Sequence, residues 1–147
     1  MRPQKNCLTG RMKKLRIGES GIPGAGKGLF AEEDIKRGEV IVLITGPRHT
    51  VAEIEAHHAD NDYLLEINDG SGECIDVQGE ARYANDARGI SVIPGLFNNA
   101  QFCSAEDHSM YLAATRRIKA GDEIFVNYGK AYWKEVLNAQ KTATANG

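Results

Sequence analysis

A glycine-rich run near the start of the chain has a spacing that could bind a ligand. Residues 21–28 read GIPGAGKG, close to the phosphate-binding pattern G-x-x-x-x-G-K-[S/T]. Gly28 stands where that pattern needs a hydroxyl for Mg²⁺, and no strand–helix alternation surrounds it. Nucleotide hydrolysis is therefore a minor alternative to a plain hairpin loop or a loop whose bare backbone lies against a ligand.

Histidines and cysteines show no metal-binding or nucleophilic pattern. The histidines lack H-x-x-x-H spacing with a matching acid, and no serine stands in a nucleophile elbow. Cys7, Cys74 and Cys103 are far apart and form no C-x-x-C pair, which argues against a disulfide framework or a cysteine zinc site. We therefore expect no metal, and an intracellular, reducing compartment suits these cysteines.

Three blocks combine glycine, asparagine and tyrosine at suggestive spacings. They are residues 26–31 (GKGLFA), residues 82–86 (RYAND) with residues 98–99 (NN), and residues 121–129 (GDEIFVNYG). Each block alone has an ordinary explanation, as a turn, an Asx-type loop or a core tyrosine. Their order along the chain is what carries information.

The elements that must position these blocks are short strands with irregular connections. Thr50 with Glu53 predicts a capped helix over residues 51–58, and apolar residues at helical spacing predict a terminal helix. Residues 82–102 are expected to be irregular. The β-rich runs are residues 15–17, 39–44, 63–67, 74–77, 109–116 and 124–128, with a hairpin turn at 68–72. The pattern predicts one mostly β domain with few short helices.

Charge is unevenly distributed along a chain of ordinary domain size. The 147 residues have a net charge of −2. Charges before Glu19 are all basic, whereas the stretch between His49 and Ala81 has acidic residues and no Lys or Arg. That stretch is either a solvated face or a surface that attracts a cationic partner. No apolar run is long enough to span a membrane, and direct nucleic-acid binding is not indicated.

In this order and spacing the three blocks resemble the SET-domain family of lysine methyltransferases. Residues 121–129 fit the family's G-[DE]-E-[IL]-x-x-x-Y-G run throughout, and residues 26–31 match its G-x-G-[LV]-F-A loop. Residues 82–99 resemble its R-[FY]-x-N-H-S-x-x-P-N segment. The size and the run at residues 62–64 (DYL) are similar to small stand-alone viral SET proteins.

The resemblance implies a SET β-clip, with the C-terminal segment threaded through a preceding loop as a pseudoknot. Residues 1–14 are then a basic flexible tail and residues 15–133 the SET domain. Residues 134–147 are a C-terminal, post-SET-like helix and tail without zinc cysteines.

The resemblance also implies a site for S-adenosyl-L-methionine and a protein lysine. The implied catalytic residues are Tyr128 and Tyr63, and the implied channel residues are Tyr63, Phe102 and Val126. The implied cofactor-binding residues are Lys27, Gly28, Leu29, Arg82, Tyr83, Asn85, Asp86, Tyr128 and Trp133.

The implied reaction is an in-line methyl transfer to a lysine ε-amine, which must first lose its proton. An apolar aromatic channel beside a sulfonium lowers the lysine pKa by desolvation and like charge, and the Tyr128 hydroxyl orients the amine. Family members often limit the product with an extra tyrosine where this chain has Val126 and Phe102, so di- or trimethylation is expected. A histone tail is the expected substrate, and the protein is nuclear if that is so.

Three departures from the family pattern leave an alternative open. Asp86 replaces the usual histidine, Asn98 replaces the usual proline, and residues 87–97 look like an insertion. The alternative is a catalytically inactive SET-like domain that acts as a protein-binding module. Asp86 favours it, whereas Tyr128 and Asn85 argue against it.

Overall fold

The fold is mostly strand, as the β-rich runs predict. A computed structural model describes residues 12–58, 63–67, 69–87, 94–107 and 109–127. Within these ranges the strands are β1 (Leu15–Glu19), β2 (Lys27–Ala31), β3 (Val40–Leu43), β4 (Arg48–His49), β5 (Leu64–Glu66), β6 (Cys74–Asp76), β7 (Ala100–Ser104), β8 (Met110–Ala114) and β9 (Glu123–Ile124). The helices are α1 (Val51–His57) and a 3₁₀ helix (Glu80–Tyr83).

The strands form three small antiparallel sheets. Their orders are β1-β2-β9, β3-β8-β7 and β4-β6-β5. β8 and β9 fall in different sheets, although only a short connection separates them. That connection pairs with the end of β2 and the segment after it, since Gly121 donates to the Ala31 carbonyl at 2.7 Å and Ile118 bridges to Ile35. The chain therefore crosses from one sheet to another.

The central strand β8 is buried along its whole length. Met110, Leu112 and Ala114 belong to the main hydrophobic cluster, whereas Tyr111 and Ala113 pack in a second cluster with Val40. Alternate residues of a strand point to opposite faces, so β8 supplies both clusters. This explains its uninterrupted apolar sequence.

Local sequence signals are confirmed at the helix and at the hairpin. Thr50 is the N-cap of α1, and its hydroxyl oxygen accepts from the Glu53 N–H at 3.2 Å. β5 pairs with β6 across the predicted turn, with Leu65 opposite Ile75.

The expectation that residues 82–102 are irregular is wrong at their end. The last three of these residues begin β7, which pairs with β8 so that Ala100 lies opposite Ala114 and Phe102 opposite Leu112. The strand forms because a buried partner strand is available, which local composition does not report.

Residues 123–126, called here the threaded segment, lie between two distant parts of the chain. Phe125 bridges in parallel to Asn85 on one side, and Val126 bridges in parallel to Ala100 on the other. The segment thus passes between the two ends of the connection that joins Asn85 to Ala100. It is the described part of the predicted threaded arrangement.

The N-terminal end of the described chain is attached to the domain. Lys13 donates its backbone N–H to the Ile41 carbonyl at 3.0 Å, and its ammonium lies 2.9 Å from a Glu39 carboxylate oxygen. Lys14 donates its N–H to the Glu33 carboxylate at 2.7 Å. These contacts fall on the last residues of the predicted tail, while residues 1–11 lie outside the described residues.

Candidate functional site

The loop between β1 and β2, residues 20–26 and called here the glycine loop, is held by one buried carboxylate. Glu123 is 9% exposed. One of its oxygens accepts from the Ser20 hydroxyl at 2.7 Å, and the other accepts from the Gly21 N–H at 2.8 Å. Because Glu123 begins β9, the glycine loop is fixed to the threaded segment.

Gly28 has no room for a side chain. A Cβ built there overlaps the Glu123 carboxylate. The serine or threonine of a phosphate-binding loop does not fit at this position, and Lys27 begins strand β2 instead of the helix that such a loop requires. The nucleotide-binding alternative is therefore wrong.

The tip of the glycine loop presents bare backbone to open space. Gly24 and Gly26 have φ angles of +79° and +73°, and no atom lies within 4 Å of a Cβ built at either one. Glycine adopts this conformation without strain, and both residues are exposed, although the Gly26 carbonyl already accepts from the Ser20 N–H at 2.8 Å. The loop next to Lys27 can therefore contact a ligand through its backbone.

Asn85 links this region to the threaded segment. Its side-chain N–H donates to the Lys27 carbonyl at 2.9 Å, and its backbone carbonyl accepts from the Val126 N–H at 2.8 Å. The structure thus brings together the predicted residues Lys27, Asn85 and Val126. Gly28 and Leu29 follow Lys27 in β2, where both are buried.

Asn99 holds the other side of the threaded segment with its side chain. Its amide N–H donates to the Glu123 carbonyl at 3.0 Å, and its amide oxygen accepts from the Phe125 N–H at 2.8 Å. The backbone N–H of Asn99 also donates to the Phe125 carbonyl at 2.9 Å. A side-chain amide therefore takes the place of a strand partner.

Asp86 is buried, at 8% exposed. Its carboxylate accepts from the Asn98 side-chain N–H at 2.9 Å. The structure thus places Asp86 beside Asn85 and against the residue that replaces the family proline.

The aromatic residues of the predicted site lie around the 3₁₀ helix, which packs against β1 and β2. The Arg82 guanidinium carbon is 4.0 Å from the centre of the Tyr63 ring, a cation–π contact. Tyr63 and Tyr83 are 43% and 37% exposed, which is high for aromatic side chains. Their rings are available to a ligand at the surface.

The two apolar channel residues pack on the core side. Val126 is fully buried in the main cluster, and the half-buried Phe102 packs against the same cluster. Tyr63 contacts Arg82, whereas Phe102 packs against the cluster that contains Val126. Tyr128 and Trp133 lie outside the described residues, which end at Asn127.

Four residues that organise this site had no predicted role in it: Ser20 lies outside the three blocks, whereas Asn98, Asn99 and Glu123 stand within them. One signal could have found Glu123, which is the fixed glutamate of the G-[DE]-E-[IL]-x-x-x-Y-G run and stands directly before the predicted strand 124–128. Such a residue is rarely buried without a partner. Asn98 and Asn99 belong to the second block, and Asn98 also departs from the family proline, but their contacts could not be predicted because they are with distant segments.

The described ranges contain no group of three or more His, Cys, Asp or Glu side chains that could hold a metal ion. They also contain no helix with the length and apolar character needed to cross a membrane.

Known proteins resemble this chain in both sequence and fold. The SET domain family model matches residues 26–129. Histone-lysine N-methyltransferase EZH2 of Chaetomium thermophilum is 30% identical over an alignment of 134 residues, which covers 82% of this chain and 8% of that protein. The chain therefore spans less than a tenth of that curated relative.

Solved structures share the fold. One is ctPRC2 in complex with H3K27me3 and H3K27M, with a TM-score of 0.70, 28% identity, and coverage of 86% of this chain and 16% of the other. Another is ctPRC2 in an autoinhibited conformation bound to S-adenosylmethionine, with a TM-score of 0.68, 25% identity, and coverage of 89% and 17%. A third is the Chaetomium thermophilum polycomb repressive complex 2, with a TM-score of 0.67, 28% identity, and coverage of 82% and 16%. With more than half of its residues matched by the family model and its strands arranged as in these structures, the chain belongs to the SET-domain family.

Proposed function

We propose that this chain transfers a methyl group from S-adenosyl-L-methionine to the ε-amine of a protein lysine. The observation that carries the proposal is the hydrogen-bonded link from Lys27 through Asn85 to Val126. It joins the backbone beside the glycine loop to the segment that leads into Tyr128. Membership of the SET-domain family and the sequence similarity to EZH2 support the same function.

The residues present suit the chemistry of S-adenosyl-L-methionine. The cofactor combines an amino-acid head, a sulfonium cation and an adenosine. Open backbone in the glycine loop and the amide of Asn85 offer donors and acceptors for its polar parts. The exposed rings of Tyr63 and Tyr83 offer faces for a cation or a base. When bound, the cofactor supplies an activated methyl group.

The chain's own residues prepare the lysine. Phe102, which is half-buried against the main cluster, offers an apolar surface that disfavours the charged ammonium and lowers the lysine pKa, and the fully buried Val126 packs within that cluster. The Tyr128 hydroxyl orients the neutral amine, since in-line displacement depends chiefly on alignment. No residue needs to act as a general base, because desolvation favours release of the proton to solvent.

The proposed substrate is a histone tail, which makes the protein nuclear. The support is the histone-lysine activity named for the EZH2 relative, together with the acidic stretch after His49. Part of that acidity is already neutralised, since Arg48 lies 3.2 Å from Glu73 and 3.7 Å from Asp69. The remaining carboxylates would attract a basic peptide by long-range charge.

The decisive experiment compares wild type with Tyr128→Phe, using labelled S-adenosylmethionine and a histone panel. Wild type is expected to label a histone band, and the variant is expected to lose about 100-fold or more of that rate while still binding cofactor. Tyr111→Phe, the same change at a buried tyrosine of β8, is the matched control and should keep labelling. Equal labelling by wild type and Tyr128→Phe would remove Tyr128 from the mechanism. Cofactor binding without labelling of any substrate by wild type would favour the inactive binding module.

The number of methyl groups that the lysine accepts depends on the side chains beside it, and two of the predicted channel residues, Val126 and Phe102, have no hydroxyl group. Val126 and Phe102 cannot donate a hydrogen bond that holds a partly methylated amine out of line, so we propose that di- and trimethyl-lysine form. Mass spectrometry of product peptides after exhaustive reaction measures this, and Phe102→Tyr, which adds only a hydroxyl at the half-buried position, provides the comparison. Monomethyl product alone from wild type would contradict the proposal.

A further inference from the structure

Two positions at which the chain departs from the family pattern are in contact with each other. The Asn98 side-chain N–H donates to the Asp86 carboxylate at 2.9 Å. The amide oxygen of the same side chain accepts from the Ala87 N–H at 2.8 Å. Both polar groups of the Asn98 amide are therefore hydrogen-bonded, the N–H to Asp86 and the oxygen to Ala87.

This pairing depends on the chemical types of both residues. A buried carboxylate such as Asp86 is costly unless donors face it, and an asparagine amide supplies a donor and an acceptor together. A proline at position 98 would have neither group on its side chain. The two departures thus satisfy one another's hydrogen bonds.

The pair lies at the base of the connection formed by residues 87–97, here called the inserted connection. Asn85, directly before Asp86, accepts from Val126. Asn99, directly after Asn98, holds Glu123 and Phe125. The Asp86–Asn98 contact therefore fixes the separation between the two residues that hold the threaded segment.

We propose that Asp86 and Asn98 are a positioning pair that keeps Asn85 and Asn99 at the spacing the threaded segment needs, and thereby aligns Tyr128 with the cofactor. Its effect on catalysis rests on the proposed methyl transfer. Its effect on the threaded segment does not, because that can be measured without substrate or cofactor.

The first test is Asn98→Asp, which has almost the same shape. It places two carboxylates at hydrogen-bonding distance, where one of them must hold a proton at a raised pKa. We expect the dissociation constant for S-adenosylmethionine to rise about tenfold or more at pH 8 and to return toward the wild-type value near pH 5.5, where a shared proton restores the bond. Affinity that is unchanged, or weakened equally at both pH values, would overturn the proposal.

The second test reverses the pair with Asp86→Asn and Asn98→Asp in one chain. The amide then donates from position 86 and the carboxylate accepts at position 98, so both contacts can form again. We expect the double variant to bind at least about fivefold more tightly than Asn98→Asp alone at pH 8, and without its pH dependence. A double variant as weak as the single one would overturn the pairing. Should Asn98→Asp fail to fold, recovery of a folded chain by the second change supports the pair, and failure of both opposes it.

Amide hydrogen exchange separates this inference from the proposed function. The Phe125 N–H is bonded to Asn99 and the Val126 N–H to Asn85, each at 2.8 Å. Both should exchange about tenfold faster in Asn98→Asp and recover in the double variant. Asp107→Asn, which also exchanges a carboxylate and an amide but in the exposed β7–β8 turn, is the control and should leave both rates unchanged. A wild type that neither binds cofactor nor methylates defeats the proposed function, yet the exchange rates still decide whether the pair holds the threaded segment.

Discussion

At the scale of single residues, Glu123 connects two parts of the proposed cofactor site. Its carboxylate binds Ser20 and Gly21 in the glycine loop, while its backbone carbonyl is bound by Asn99. The motif around Tyr128 could be recognised in the sequence. The contacts that give Glu123 its role could not be, because they join it to residues 24 to 103 positions away.

The closeness of Gly28 to Glu123 gives a stability prediction. In Gly28→Ala the new Cβ must displace the Glu123 carboxylate, which breaks its bonds to Ser20 and Gly21. We expect a loss of about 1–3 kcal/mol in the free energy of unfolding, measured by chemical denaturation, and weaker cofactor binding by titration.

Gly21→Ala is the control for this prediction. A Cβ at Gly21 lies 3.6 Å from the Glu123 carboxylate, an ordinary contact distance. Its effect on stability should stay within about 0.5 kcal/mol. Equal losses in the two variants would mean that contact with Glu123 does not decide the outcome.

At the scale of elements, the patterns that operate within a few residues were predictable. The β5–β6 hairpin and the Thr50 cap of α1 follow from turn and capping residues next to each element. The strand β7 and the assignment of β8 and β9 to different sheets were not predictable. Both depend on partners far along the chain, which local composition does not encode.

Asn99 shows how one side chain can substitute for a strand partner of β9. Asn99→Ala removes the bonds to the Glu123 carbonyl and the Phe125 N–H. We expect a loss of about 1–3 kcal/mol in unfolding free energy by urea denaturation. Local loosening of the threaded segment should appear as faster exchange of the Phe125 amide.

Gln101→Ala, two residues further along in β7, is the control, because Gln101 is exposed. It should change stability by less than about 0.5 kcal/mol and leave that amide protected. Protection of the Phe125 amide in Asn99→Ala as strong as in wild type would refute the role of Asn99.

At the scale of the whole molecule, an ion pair near the start of the described chain makes stability depend on pH. The Glu39 pKa is lowered by hydrogen bonds from the Lys13 ammonium and from the Lys36 N–H. A lowered carboxyl pKa contributes stability above the ordinary value of 4.5, and this is lost as the pH falls through the lower folded value.

Glu39→Gln should therefore lose about 0.5 kcal/mol at neutral pH, a small value because 38% of the Glu39 side chain is exposed to screening solvent. The difference from wild type should persist at pH 6 and shrink as the pH falls well below 4.5. Thermal unfolding across this range measures it. Glu106→Gln, at an exposed position in the β7–β8 turn, is the control, and a constant deficit of Glu39→Gln at every pH would contradict the prediction.

The proposed site could be predicted in part because its motifs are short and ordered. Lys27, Asn85 and Val126 were identified from separate motifs, and the structure joins them by hydrogen bonds. The Asp86–Asn98 contact could not be predicted, since each residue was noticed only as a departure from a pattern. Chemical complementarity between two such departures becomes visible only when the fold places them side by side.

The threaded segment has a consequence for how the chain acquires its structure. Its partners Ser20, Asn85 and Asn99 all precede it, and Ser20 is 103 positions away from Glu123. During synthesis on a ribosome, none of these contacts can form until the threaded segment has emerged. Until then Ser20, Asn85 and Asn99 lack the hydrogen bonds that they make with it. Such long-range closure slows folding, typically to milliseconds or longer. The proposed cofactor site should therefore be completed in a single late step, together with the final increase in stability.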